Sequence, residues 1–126
     1  MLTERRVHAV LPTLDVDGLR PFYEEVLGFV PRAVRPGAVM YDAGEGSGFA
    51  VSRTGSPSAS THTQMAFTVF DIEAEVADLQ ARGVVFEEYE MPKTVNGVAP
   101  MPAGKAAWFK DPHGNVIGLI QFTDPT

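Results

Sequence analysis

The sequence predicts an α+β fold of two tandem βαβββ modules that form a single domain of 126 residues. Alternating apolar and polar runs, which are typical of strands, surround two stretches that have the apolar spacing of helices. The order of elements also occurs twice, since Asp15 and Gly28 bracket the first helical stretch as Asp71 and Gly83 bracket the second. We place module one at about residues 5–55 and module two at about residues 63–123.

The first module begins with a predicted strand at residues 7–14, where His8, Val10, Pro12 and Leu14 share one face. A helix follows, capped near Asp15, whose single apolar stripe comprises Leu19, Phe22, Tyr23, Val26 and Leu27. Pro21 fits this helix in its first turn, where its missing N–H costs little, and Gly28 is expected just after the last turn. Three strands complete the module, at about residues 30–34, 38–42 and 48–54.

The second module repeats this plan after a Ser-rich link at residues 56–60. A strand at residues 64–69 precedes a helix that Asp71 caps, with Ile72, Val76 and Leu79 on its buried side. The loop at residues 90–104 is long for a hairpin, and such loops often close over binding sites. The remaining strands are predicted at residues 84–89, 105–110 and 116–122.

Composition excludes several classes of function. The chain has no cysteine, so disulfides, thiolate metal sites and a cysteine nucleophile are ruled out. A net charge of −6 argues against a nucleic-acid partner, because such proteins usually present a basic face. No apolar run is long enough to cross a bilayer, and the first residues lack the apolar core of a signal peptide. We therefore expect a cytoplasmic protein with no membrane partner.

Three motifs occur in a fixed order along the chain. Phe22-Tyr23-Glu24-Glu25-Val26-Leu27-Gly28-Phe29 spans the end of the first helix, Asp71-Ile72-Glu73-Ala74 begins the second, and Asp111-Pro112-His113-Gly114-Asn115 forms a tight turn before the last strand. Together they resemble the vicinal oxygen chelate superfamily, which includes glyoxalases, bleomycin resistance proteins and extradiol dioxygenases. The resemblance covers nearly the whole chain. It implies that the eight strands curl into a half-open barrel around a cavity.

Metal-dependent members of this superfamily hold a divalent ion with one residue from each of four strands. His8 matches the first position, seven residues before Asp15. The second position falls on Ala50 or Ser52, and residues 47–61 contain no Asp, Glu or His. The third falls on Gln64 and the fourth on Gly118. The resemblance thus leaves one good ligand of four.

A bound zinc ion needs at least three protein ligands, so we expect neither a metal ion nor another cofactor. His62 is the one possible replacement, since it shares a strand face with Gln64. It would lie about 6.6 Å further along the strand at ~3.3 Å per residue, and a two-residue slip would be required.

Strand alternation and the resemblance together predict a cavity that binds a small, aromatic or apolar molecule. Trp108 and Gly118 favour a planar guest, because one offers an aromatic ring and the other lacks a side chain. Met91 and Met101 of the long loop could close over it. His8 is alternatively an acid or base, or a structural histidine, and Trp108 is alternatively a core aromatic. The expected ligand-binding residues are His8, Val10, Ser52, Gln64, Thr68, Met101, Trp108 and Gly118.

Two classes of function compete, and no catalytic residue is assigned. The favoured class is a metal-free binding protein of the sequestration or resistance type. The alternative is a lyase, thiol-transferase or dioxygenase-type enzyme with an atypical metal site or with His8 as acid or base. A third class is an interaction module with a vestigial cavity. We also expect a homodimer, because open, curved sheets leave edges that a second copy would cover.

Overall fold

The computed structural model describes residues 1–58 and 60–123. The chain divides into two compact units, residues 1–58 and 59–126. The division falls in the predicted Ser-rich link, of which Ala59 lies outside the described residues. Each unit contains one four-stranded sheet and the helix that follows its first strand. The predicted α+β class and the two tandem βαβββ modules are confirmed.

The first unit places its strands in the order β1-β4-β3-β2. Strand β1 runs parallel to β4, and the other two pairs are antiparallel. The parallel pair exists because helix α1 returns the chain to the same end of the sheet before β2 begins. The elements are β1 (Ala9–Thr13), α1 (Val16–Pro21), a π-helical turn (Phe22–Val26), β2 (Pro31–Arg35), β3 (Ala38–Asp42) and β4 (Gly48–Arg53).

The two faces of the first sheet differ sharply in burial. Leu11 in β1 is 0% exposed, whereas its neighbour Val10 is 56% exposed on the opposite face. Tyr23 from the π-helical turn packs on the buried face, with its ring centroid 6.0 Å from that of Tyr41 and 5.4 Å from that of Phe49. Alternation along the strands therefore gives this unit its aromatic core.

The first helix departs from the sequence prediction at Pro21. Asp15 caps the helix by accepting a hydrogen bond from Gly18 N at 3.0 Å, so the helix begins at Val16 and Pro21 is its last residue. The expected place of Pro21 in the first turn is wrong. Because proline has no N–H, the α-helical ladder cannot continue through it. The chain continues as a π-helical turn, in which Leu27 N donates to Phe22 O at 3.0 Å.

The second unit repeats this arrangement in the strand order β5-β8-β7-β6, with β5 parallel to β8. Asp71 caps its helix by accepting a hydrogen bond from Ala74 N at 3.1 Å, and Gly83 follows the helix with a φ of 97°. Caps of this kind satisfy backbone groups that a helix end would otherwise leave unpaired. The elements are β5 (Met65–Thr68), α2 (Ile72–Ala81), β6 (Val98–Met101), β7 (Gly104–Lys110) and β8 (Val116–Phe122).

The predicted strand at residues 84–89 is wrong, and β6 lies instead within the predicted long loop. Both segments lie along the same edge of β7. Strand β6 pairs with residues 104–107, while Phe86 makes only a single bridge with Phe109, and Glu87 N donates to Trp108 O at 2.8 Å. Residues 84–89 therefore lie beside β7, but only a short stretch of that strand is left for them to pair with.

Helix α2 covers one face of the second sheet. Lys105 reaches Glu73 of the helix at 2.6 Å, and the Gln121 side chain accepts a hydrogen bond from Ile72 N at 2.8 Å. Strand pairing assigns the opposite side, which we call the far face, to Ala66, Thr68, Ala106, Trp108, Lys110, Val116, Gly118 and Ile120. Among the helices of the described residues, none has both the length and the apolar character that crossing a bilayer requires.

Candidate functional site

The closing turn of the second unit is held by a buried carboxylate. Asp111 is 4% exposed, and its Oδ1 accepts hydrogen bonds from His113 N at 2.9 Å and Asn115 N at 3.0 Å. Its Oδ2 accepts from Asn115 Nδ2 at 2.8 Å. Gly114 adopts a φ of 89°, which suits glycine at this point of the turn. The turn thereby fixes where β7 ends and β8 begins.

Gln64 extends this network to the start of β5. Its Nε2 donates to Asn115 Oδ1 at 2.9 Å, and its Oε1 accepts from Val116 N at 2.9 Å. The backbone N of Gln64 also donates to Val116 O at 2.9 Å. The side chain at the third metal-ligand position is therefore engaged in joining β5 to the closing turn.

Gly118 lies directly opposite Trp108 in the pairing of β7 with β8. A Cβ atom at Gly118 would lie 3.1 Å from Thr63 Cγ2, 3.5 Å from Ala66 Cβ and 3.6 Å from Trp108 Cδ1. A Cβ atom at Gly118 would thus be in tight contact with Thr63 and in ordinary van der Waals contact with Ala66 and Trp108. Gly118 therefore lies close to both Thr63 and the indole of Trp108.

Trp108 is held on the far face by two further contacts. Its Nε1 donates a hydrogen bond to Thr63 Oγ1 at 3.1 Å. Its ring meets the ring of Tyr89 edge to face, with centroids 5.6 Å apart. Because the indole N–H is paired and the ring is only half-buried, the indole presents aromatic surface in a fixed orientation.

A pocket of about 540 Å³ opens beside this indole, entirely within the second unit. Its volume lies in the range of small-molecule sites, which is roughly 300–1,000 Å³. A backbone hydrogen bond of 3.0 Å, from Thr94 N to Tyr89 O, closes the loop that carries Met91. The apolar and neutral polar lining includes Thr63, Tyr89, Met91, Pro92, Trp108 and Val116.

The rim of the pocket carries charged and titratable groups. Lys110 Nζ lies 3.4 Å from Glu87 Oε1, and His62 and Thr61 lie on the segment before Thr63. Lys110 follows Trp108 by two residues, so both side chains project from the far face. The pocket therefore combines an aromatic floor with one ion pair at its border.

The predicted site residues fall into several groups. Thr68, Trp108 and Gly118 share the far face of the second sheet, and Met101 shares it through its pairing with Gly104. Only Trp108 lines the pocket itself. Gln64 is bonded to the closing turn. His8, Val10 and Ser52 belong to the first unit, where Val10 and Ser52 lie on the face opposite the aromatic core and His8 is exposed before β1.

Sequence reasoning did not place Thr63, Tyr89, Glu87 or Lys110 in the site. The sequence did contain a signal for Glu87 and Lys110. Lys110 shares a strand face with Trp108, and residues 84–89, which include Glu87, were expected to form a strand of the same module. His62 was weighed as a metal ligand, and the structure places it on the pocket rim. Within residues 1–58 and 60–123, no three His, Cys, Asp or Glu side chains are grouped closely enough to hold a metal ion.

Comparison with known proteins agrees with this fold. The family model described as the Glyoxalase/Bleomycin resistance protein/Dioxygenase superfamily matches residues 5–119. No curated protein sequence matches the chain. Among solved structures, TnmS3, an antibiotic binding protein from Streptomyces sp. CB03234, is 27% identical, with a TM-score of 0.73 and coverage of 98% of this chain and 99% of that one.

Two further solved structures extend the comparison. A glyoxalase/bleomycin resistance protein from Streptomyces sp. CB03234 is 28% identical, with a TM-score of 0.67 and coverage of 93% of this chain and 100% of that one. A putative glyoxalase family protein from Bacillus anthracis is 16% identical, with a TM-score of 0.74 and coverage of 95% and 96%. At that identity the similarity shows the fold alone.

Proposed function

Because this chain belongs to the glyoxalase/bleomycin resistance protein/dioxygenase superfamily, we propose that it binds a small aromatic or apolar molecule without a metal ion and acts by sequestration. The observation that carries the proposal is the fixed, half-buried indole of Trp108 at the floor of the second-unit pocket. Aromatic guests stack on such rings, and burial of their apolar surface drives binding.

The vacancies in the family's metal positions support binding rather than metal chemistry. Gln64 uses its amide to hold the closing turn, and Gly118 has no side chain and lies against Thr63 and Trp108. A metal ion needs several converging donors, and these two positions supply none to it. The name of TnmS3, an antibiotic binding protein of similar length and fold, is consistent with a binding role for this chain.

Trp108 is the single tryptophan of the chain, which makes its fluorescence a direct reporter of the site. Titration with planar aromatic compounds should quench or shift this emission, in the presence of EDTA as in its absence. A ligand at 100 times its Kd should stabilise the fold by about 2.7 kcal/mol. A library of aromatic compounds that changes neither emission nor melting temperature would contradict the proposal.

Substitution at the pocket floor provides the matched test. Trp108→Leu should weaken a ligand found in this way by at least tenfold in calorimetry, since it removes the stacking surface. Phe70→Leu is the control, because Phe70 is an aromatic residue that is 95% exposed and lies outside the pocket lining. Equal loss in both variants would show that the ligand binds elsewhere.

The proposal includes a homodimer and a cytoplasmic location, as expected from the sequence. Light scattering of the purified protein and fractionation of cells that express it test these two points separately from ligand binding.

A further inference from the structure

The lining of the second-unit pocket offers several hydrogen-bond donors. Lys110 Nζ and Glu87 Oε1 are 3.4 Å apart, beyond the usual 2.7–3.2 Å range of an N–H···O hydrogen bond. The Lys110 side chain is 51% exposed, and an ammonium group carries three donors. The ion pair therefore partly compensates the lysine charge while leaving its N–H groups available to a ligand.

Thr63 adds a second donor to the same region. Its Oγ1 accepts the hydrogen bond from Trp108 Nε1, so its own O–H can donate into the pocket. His62 beside it lines the rim, and its ring can also donate. Glu87 is the one carboxylate among the pocket-lining residues that the structure describes. Such a surface suits a guest that carries acceptor oxygens.

The spacing of these groups limits the shape of the guest. Trp108 and Lys110 lie on the far face two residues apart, which corresponds to about 6.6 Å at ~3.3 Å per residue. This backbone spacing puts the indole and the flexible lysine side chain on neighbouring parts of one face, so a compact guest with its ring on the indole could reach the ammonium group through a directly attached carboxylate. An anionic group of the guest that lies further than about 8 Å from the ammonium group would gain little attraction from it, because salt screens exposed charges beyond that distance at physiological ionic strength.

We propose that the ligand of this pocket is an aromatic carboxylate or a comparable aromatic oxyanion, with its ring on Trp108 and its anionic oxygen at Lys110. The inference rests on the proposed binding function and names the chemical class of the ligand. Glu87 acts as a competitor for the lysine, so it weakens the binding of anions and sets the selectivity of the site.

Three naphthalene compounds of equal ring size test this charge preference by calorimetry: 1-naphthoate, 1-naphthylmethanol and 1-naphthylmethylammonium. 1-Naphthoate should bind about tenfold more tightly than the alcohol, because a hydrogen bond between ions is stronger than a neutral one. The ammonium compound should bind most weakly. Binding of the ammonium compound as tightly as 1-naphthoate would overturn the inference.

Substitutions of Lys110 and of Glu87 test the contribution of each charged residue separately. Lys110→Met should abolish the preference for 1-naphthoate over the alcohol. Glu87→Gln should tighten 1-naphthoate several-fold. Lys105→Met is the matched control, since Lys105 lies on the same strand but on the helix-covered face, paired with Glu73. Loss of the preference in this control as well would overturn the assignment to Lys110.

The outcomes also distinguish this inference from the proposed function. If all three compounds bind equally and Trp108→Leu weakens each of them, the binding function stands and the anion preference is wrong. If none of the three binds and the aromatic library also gives no ligand, both proposals are wrong. If 1-naphthoate alone fails while the other two bind, only the charge assignment is overturned.

Discussion

Gln64 and Asn115, which are 51 residues apart in sequence, are joined through their side-chain amides by a hydrogen bond of 2.9 Å. Asn115 is fully buried, and its own Nδ2 donates to Asp111 Oδ2 at 2.8 Å. The closing turn is thus tied to the segment that enters β5, directly after the pocket residues Thr61–Thr63. Gln64 therefore stabilises the scaffold of the second unit.

Asn115→Ala should lower the free energy of unfolding by about 1–3 kcal/mol, because it removes the side-chain amide that hydrogen-bonds both to the buried Asp111 carboxylate and to Gln64. Urea denaturation with an unchanged m-value measures this loss. Gln80→Ala is the control, since Gln80 makes an exposed amide contact with Asn96 at 3.3 Å. That control should stay within about 0.5 kcal/mol of the wild type. Equal stability of both variants would contradict a structural role for the network.

Gly118→Glu, which restores a carboxylate at the family's fourth metal position, should destabilise the second unit by about 1–3 kcal/mol because it overpacks the site. Thr63 would have to shift, because its Cγ2 lies only 3.1 Å from the position of the added Cβ, and the longer glutamate side chain would then crowd Trp108, whose Cδ1 lies 3.6 Å from that position. Emission of Trp108 should shift to longer wavelength as the indole moves into water. Gly55→Glu is the control, because nothing lies within 4 Å of a Cβ at Gly55.

EDTA should change neither the melting temperature nor the ligand affinity of the purified protein. The reason is that Gln64 is bonded to the closing turn and that β4 contains no acidic residue or histidine. Elemental analysis of tag-free protein checks the same point. Stoichiometric zinc, nickel, manganese or iron that is lost in His8→Ala would contradict the metal-free proposal and favour the enzyme class.

Acid should weaken the first unit through Glu24. The hydrogen bond from Arg20 lowers the pKa of the Glu24 carboxyl below its usual value of 4.5, and the Tyr41 hydroxyl also donates to it, at 2.9 Å. Because the folded pKa is below the unfolded one, this stabilisation is complete above about pH 4.5 and is lost as pH falls through the folded pKa.

Glu24→Gln should therefore be less stable than the wild type at pH 7, and the two urea midpoints should converge below pH 4.5. Glu25→Gln is the control, since Glu25 is the exposed neighbour on the same turn. The urea midpoint of Glu25→Gln should equal that of the wild type both at pH 7 and below pH 4.5. A constant difference between Glu24→Gln and the wild type across this range would show that the carboxylate charge is not the cause.

The two faces of β1 should respond unequally to truncation. Leu11→Ala should cost about 2–5 kcal/mol, since Leu11 is 0% exposed and its loss leaves a cavity. Val10→Ala should cost less than about 1 kcal/mol, since Val10 is 56% exposed. Chemical denaturation of the two variants gives both values, and a larger loss for Val10→Ala would mean that this face is covered by another surface.

Local sequence signals predicted a large part of the fold. Asp15 and Asp71 cap their helices as expected, and β3 and β8 have their predicted bounds, because caps, turns and alternation depend on neighbours in the chain. The order of the three motifs predicted the superfamily, which the family match confirms.

The tertiary structure alone decided where the long-range partners lie. Residues 84–89 have a good strand pattern, but β6 takes most of the free edge of β7, and no local signal reports that competition. The sequence alone allows the Gln64 side chain to point either into a cavity or towards the closing turn. It bonds to the turn because folding brings Asn115 within hydrogen-bond distance. The sequence by itself determined the two modules and the residues that cap their helices, because these follow from short-range chemistry. The pocket at Trp108 required the folded chain, because the contacts of Trp108 with Thr63 and Tyr89 and of Lys110 with Glu87 join segments that are distant in sequence.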